Sequence, residues 1–177
     1  ELYTDRAVDN LGPKLKGYAI EEMEVKPTFD IQYFEPKDVE KIDKVYDKEV
    51  DIELKQGRFE ILELAKNFTG FLGSTITCTK PTRLLFLFDE VLSDGDVDPN
   101  RLNCANLMEY WLEPGTYQVE SIEPNTFRYL KIVCFEGDCR VGDVYLREYA
   151  HPPVAATFHS SDERLNRLYE AGVETFR

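Results

Sequence analysis

Cleaving a glycosidic or peptide bond takes two positioned groups, most often carboxylates or a histidine beside a nucleophile. The chain holds 34 Asp and Glu residues and two histidines, so abundance alone selects nothing. Asp89 and Glu90 are sequence neighbours in a strand-like run, where successive side chains point to opposite faces, so they cannot act together on one substrate. Asp162 and Glu163 stand where a helical pattern begins, and capping and the helix dipole account for them. His151 precedes Pro152-Pro153 and His159 precedes the helix start; neither has a nucleophile at a recognised spacing. G-x-S-x-G, P-loop and dinucleotide-binding patterns are absent. No catalytic residue is expected.

Metal chemistry has one candidate. Asp94-Gly95-Asp96-Val97-Asp98-Pro99-Asn100 sets oxygen ligands at alternate positions, as a calcium loop does. The EF-hand pattern then fails, because Pro99 fills the position of the required glycine and Ala105 that of the closing glutamate. An acidic, solvated turn is the expectation. The four cysteines, Cys78, Cys104, Cys134 and Cys139, show no C-x-x-C spacing and no paired histidine. Cys78 follows Leu72 and Ile76 on one strand face and Cys134 follows Leu130 and Ile132, so both read as buried free thiols. A Cys134–Cys139 bridge across a hairpin stays open. Neither a metal nor a cofactor is expected.

Binding chemistry centres on the single tryptophan. Met108, Tyr110 and Leu112 make the apolar side of one run, leaving Trp111 on the other side with Glu109 and Glu113. An indole flanked by carboxylates on a sheet surface can stack on a sugar ring, and an exposed aromatic equally marks a protein interface.

The elements that must position these groups are strands. From about residue 18 to residue 149, short runs rich in branched and aromatic residues alternate with Gly, Pro and Asp punctuation. Val50, Ile52 and Leu54 face one way while Asp51, Glu53 and Lys55 face the other, the period of a half-buried strand. Tyr117 and Val119 alternate with Gln118 and Glu120 in the same manner. Leu84-Leu85-Phe86-Leu87-Phe88 is apolar on both faces, as a central strand covered twice would be, and residues 127–135 are similar. Breaks at Gln56-Gly57, Lys80-Pro81, Asp94-Gly95, Pro114-Gly115, Pro124-Asn125 and Gly137 give hairpin-like connections without βαβ crossovers. The expected class is mainly β, an antiparallel jelly-roll-like β-sandwich with a C-terminal helix. Residues 17–25 and 28–34 are compatible with strands, and residues 36–45, highly charged, with a short helix or loop.

Ser160-Ser161-Asp162-Glu163 supplies an N-cap and a carboxylate three residues on. Leu165, Leu168, Tyr169, Gly172, Val173 and Phe176 then form one helical face with little chain left to pack against. The abrupt start at Glu1 and this unfinished helix read as a piece of a larger protein. Composition sets outer limits: 42% hydrophobic and 12% aromatic residues are enough for a core, while a net charge of −13 disfavours nucleic acid and anionic membrane surfaces. No apolar run approaches a membrane span.

Several segments in order resemble the bacterial α-L-rhamnosidases. Asn67-Phe68-Thr69-Gly70-Phe71-Leu72-Gly73, followed by Phe88-Asp89-Glu90-Val91-Leu92-Ser93-Asp94-Gly95, is similar to their N-F-T-G and F-x-E-x-L-x-D-G stretch. Phe127-Arg128-Tyr129-Leu130-Lys131-Ile132 resembles an F-R-Y-L-x-I strand, and residues 144–149 a closing strand. Phe158 to Tyr169 resembles the F-x-S-S-D-x-x-L-N-x-L-Y opening of the catalytic barrel. The likeness runs from about residue 57 to residue 177.

The resemblance implies a β-sandwich preceding an (α/α)6 barrel that removes terminal α-L-rhamnose with inversion, in a secreted or periplasmic bacterial enzyme. The acid and base carboxylates of that family belong to the barrel, so none maps here. The expected organisation is residues 1–56 as an N-terminal extension of the sandwich, 57–152 as the sandwich, and 153–177 as linker and first barrel helix. The expected role is a non-catalytic accessory domain partnering the barrel of the same protein. The alternative is an independent carbohydrate-binding module holding a rhamnose-containing glycan through Trp111, Glu109 and Glu113.

Overall fold

The computed structural model describes residues 11–13, 42–45, 50–149 and 154–176. The regions 17–25 and 28–34, residues 36–41 and the His151-Pro152-Pro153 joint lie outside the described residues. The elements are β1 (Ile42–Val45), β2 (Asp51–Lys55), β3 (Arg58–Cys78), β4 (Thr82–Asp89), β5 (Leu92–Ser93), β6 (Asp96–Val97), β7 (Leu107–Leu112), β8 (Gly115–Glu120), β9 (Asn125–Glu136), β10 (Asp138–Glu148) and α1 (Glu163–Phe176). Every strand pairing is antiparallel. The end of the charged segment 36–45 is a strand, β1, because Ile42–Val45 completes the free side of β10 opposite Tyr145–Glu148.

The long strand β3 organises the molecule. Its first half pairs with β9, which pairs with β4, which pairs with β7. Its second half lies between β10 and β8, and β10 carries β1 and β2 on its far side. One strand therefore serves two layers, with a register shift between Glu63 and Phe68 where it passes from one to the other. Gly70 sits just past that bend, and a side chain there would collide with the backbone of Arg147 on β10.

Period-two alternation then sorts the residues. Even-numbered positions of β4 and β9 (Leu84, Phe86, Phe88, Leu130, Ile132, Cys134) meet Leu72, Ile76, Cys78, Ile52, Leu54, Val141 and Leu146 of the other layer in the main core. Odd-numbered positions (Leu85, Leu87, Val133), with Phe59 and Ile61 of β3, form a second cluster on the outer side of the β7–β4–β9–β3 layer, joined by Leu11 and Val97. The two-faced apolar character of Leu84 to Phe88 follows from this: β4 is buried on both sides.

At the C-terminal end the N-cap is Asp162 rather than Ser160. Asp162 Oδ1 accepts the Arg164 amide at 3.0 Å, while Ser160 is fixed by Asn166, which reaches back to its carbonyl and its N–H. Leu165 and Leu168 of the helix are exposed, as is Phe158 before it. Phe158 lies 5.3 Å from the Tyr169 ring, and Tyr169 donates its hydroxyl to the Ala156 carbonyl.

Candidate functional site

The outer face of the first layer carries the tryptophan. Trp111 is on the edge strand β7, directly opposite Arg83 of β4, which lies opposite Glu136 of β9. Alternation puts Trp111 and Glu109 on the same side as Arg83, and that side is not covered here: the indole is 68% exposed. The Arg83 guanidinium sits 4.6 Å from the Trp111 ring centre and 4.8 Å from that of Phe135. A flat cation between two π faces is a favourable electrostatic arrangement. Its Nε–H donates to Glu109, two positions along β7, so Glu109 fixes the guanidinium against the rings.

Glu113 departs from the expected trio. The strand ends at Leu112, and Glu113 belongs to the turn, where its backbone carbonyl accepts the Tyr117 hydroxyl at 2.9 Å. Phe135, Arg83 and Glu136 are the partners that the sequence did not bring to Trp111. They stand 24, 28 and 25 residues away in groups joined only by strand pairing. Beyond Phe135 the surface sinks into a cleft of about 520 Å³ lined by Gln56, Lys80, Pro81, Phe135, Glu136 and Gly137. Aromatic surface, a fixed guanidinium and amide and carboxylate groups thus run along one rim. Such a rim offers apolar faces for stacking and polar groups for hydroxyl recognition, and it lacks a nucleophile with a base.

The acidic turn is not solvated. Asp96 is buried and accepts the Lys131 ammonium at 2.9 and 3.0 Å, and that lysine is 1% exposed with its ammonium 4.2 Å from the Phe59 ring. Asp98 is buried and its carboxylate accepts the Asn100 amide. Asp89, also buried, accepts the Asp98 amide, the Glu90 amide and the Arg101 guanidinium. That carboxylate keeps Arg101 protonated even more firmly than usual. These oxygens are turned inward because a cation on β9 and another in the 101–103 turn draw them in. The pairs pin the β5–β6 ribbon over the second cluster.

The same pairing extends across the surface. Asp51 meets Arg140, Glu63 meets Arg128, Glu120 meets Arg147, Asp138 meets Lys80 and Asp162 meets Arg164. A carboxylate beside a guanidinium is held ionised, which suits structure and opposes general-acid work. Arg140 lowers the Asp51 carboxyl in this way, and Arg164 lowers that of Asp162.

No protein-family model matches the sequence, and no curated protein sequence matches it. Solved structures do. A rhamnosidase from Klebsiella oxytoca with rhamnose bound superposes with a TM-score of 0.50 at 17% identity, over 74% of this chain and 28% of that one. A GH78 family rhamnosidase of Bacillus sp. GL1 superposes with a TM-score of 0.55 at 21% identity, over 66% of this chain and 13% of that one. The fold is shared with rhamnosidases. In both, the matching region is a portion of a much longer chain: the chain described here covers 28% of one rhamnosidase and 13% of the other.

Proposed function

We propose that this chain is the non-catalytic β-sandwich domain of an α-L-rhamnosidase-like glycosidase. The observation that carries the reading is the superposition of the sandwich on a segment of two rhamnosidases. The carboxylates of Asp51, Glu63, Asp89, Asp96, Glu109 and Glu120 support the same reading, since each is engaged by a Lys or Arg partner. Residues 57–152 form the sandwich, residues 1–56 extend it, and residues 153–177 lead into a catalytic (α/α)6 barrel of the same protein. The exposed Phe158, Leu165 and Leu168 are the surface that meets the barrel. The parent enzyme hydrolyses terminal α-L-rhamnose with inversion.

The test compares the longer enzyme with a version lacking residues 57–152. Loss of thermal stability or soluble yield, with turnover of a small aryl α-L-rhamnoside retained by the folded fraction, supports a scaffold. Complete loss of turnover in a folded barrel contradicts it, because the sandwich would then supply a catalytic group.

A second reading rests on the exposure of Trp111 beside the cleft. In it the domain binds a rhamnose-containing glycan, with the indole stacked on a sugar ring and Glu109 and Glu136 accepting from hydroxyls. Binding of such oligosaccharides to the chain, abolished in Trp111→Ala, supports this reading, and absence of binding removes it.

A further inference from the structure

The strand β7 is the open edge of its layer. Among the described residues its one strand partner is β4, and that pairing runs without a register shift from Leu107 to Leu112. Edge strands are commonly blunted by proline, lysine or a bulge, because their unpaired N–H and C=O groups recruit a further strand. Leu107-Met108-Glu109-Tyr110-Trp111-Leu112 has none of the three. On its inner side Met108, Tyr110 and Leu112 pack against the main core yet stay only partly buried, with the Tyr110 ring edge-on to Phe86 at 5.5 Å. On its outer side the Trp111 indole is 68% exposed. Apolar surface on both sides of the strand therefore runs out to the open edge.

We propose that this edge pairs with the same edge of a second copy, antiparallel about a two-fold axis. Self-complementarity of the strand selects a second copy as the occupant. A two-fold axis normal to the sheet keeps inner residues opposite inner ones and outer residues opposite outer ones, and the residue on the axis faces itself. With the axis at Tyr110, Tyr110 meets Tyr110, Met108 meets Leu112, and Glu109 meets Trp111. The inner residues then carry the core of one copy on into the next.

Charge fixes this register. On the outer side each indole comes to lie between its own Arg83, its neighbour on β4, and the other copy's Glu109, a carboxylate placed to accept the indole N–H. Moving the axis to Glu109 instead sets two carboxylates face to face, which opposes pairing. Symmetric use of the edge leaves none free, so association closes at two rather than growing into a fibre. The edge is six residues long, and a standard interface takes about 800 Å² from each partner. Pairing through so short an edge is reversible and depends on concentration.

The experiment is sedimentation velocity on the purified chain over a concentration series up to about 1 mM, the range in which weak pairs populate. It is repeated on Trp111→Glu, on Trp111→Glu combined with Glu109→Lys, and on Leu168→Asp. The chain is expected to pass reversibly from monomer to dimer. Trp111→Glu should weaken the dimer about tenfold, because two pairs of like charges then face each other across the axis. Arg83 of the same copy matches the new carboxylate, so the fold should be kept. Adding Glu109→Lys should restore pairing, since both cross-axis contacts become opposite charges. Leu168→Asp, on the exposed face of the terminal helix, should change nothing. A measurement without substitutions runs alongside: hydrogen exchange of the Leu107–Leu112 amides should slow as concentration rises.

A chain that stays monomeric throughout overturns the proposal, and so does β7 exchange that is independent of concentration. A dimer that survives Trp111→Glu intact contradicts the register. One that Leu168→Asp dissolves is held by the helix, and the β7 edge is then not the interface.

Discussion

Trp111 and Arg83 face each other across the β4–β7 pairing with the guanidinium 4.6 Å from the indole centre. This contact organises the exposed rim of the sandwich: Glu109 anchors the cation, Phe135 flanks it, and the cleft begins on the far side of Phe135. A surface cation–π pair adds only about 0.5–1 kcal/mol. Trp111→Ala is therefore expected to shift folding stability by less than about 1 kcal/mol. If the rim holds a glycan, the same substitution removes binding altogether. Urea unfolding and calorimetric titration with a rhamnose-containing oligosaccharide separate the two effects.

The Lys131–Asp96 pair behaves oppositely, because the ammonium has no access to water. Removing one partner of a buried pair costs about 3–5 kcal/mol, as the other charge is left stranded. Lys131→Met is expected to destabilise by that order. The double change Lys131→Met with Asp96→Leu should recover much of the loss, since it strands no charge. Denaturant midpoints of the two variants check this, and equal destabilisation in both would contradict it.

Gly137 is constrained twice, by its left-handed backbone and by the closeness of Pro81 and Thr82. Gly137→Ala should cost more than about 1 kcal/mol, since left-handed strain alone is of that order and the collision adds to it. Gly57 is also left-handed but has open space around it, so Gly57→Ala should cost less. A thermal-unfolding comparison of the two variants gives the ranking.

Acid should loosen the terminal helix first. Asp162 caps it, and Arg164 holds the Asp162 carboxyl below its ordinary value of 3.8. A carboxyl lowered in the folded state stabilises fully above that ordinary value, and the contribution fades as pH falls through the lowered one. Helical circular dichroism should accordingly drop in this acid range, and Asp162→Asn, which still caps, should flatten that drop. An identical acid profile in the two proteins would contradict the assignment.

Much of the sandwich was legible because burial follows parity. Ile52 and Leu54, Tyr117 and Val119, and both faces of Leu84 to Phe88 were sorted correctly by alternation alone. The single span of β3 was not, since Glu63, Lys66 and Asn67 interrupt the apolar pattern where the strand bends between layers and both its sides meet water. The acidic turn misled for a different reason. Asp96 looks like a surface residue until Lys131, 35 positions away, is folded against it, and Asp98 until its carboxylate turns in to accept the Asn100 amide. Trp111 and Glu109 were readable as one face, whereas Arg83 and Phe135 needed the strand order. Glu113 was assigned by extending the alternation one residue past the strand end.

The central claim is that bond cleavage is done by another domain while this one scaffolds it. The most direct measurement is release of the chromophore from an aryl α-L-rhamnoside by the purified chain. Release no faster than in buffer is predicted, and it should stay so across pH and enzyme concentration. Saturable release proportional to protein concentration, persisting through repurification, would contradict the claim.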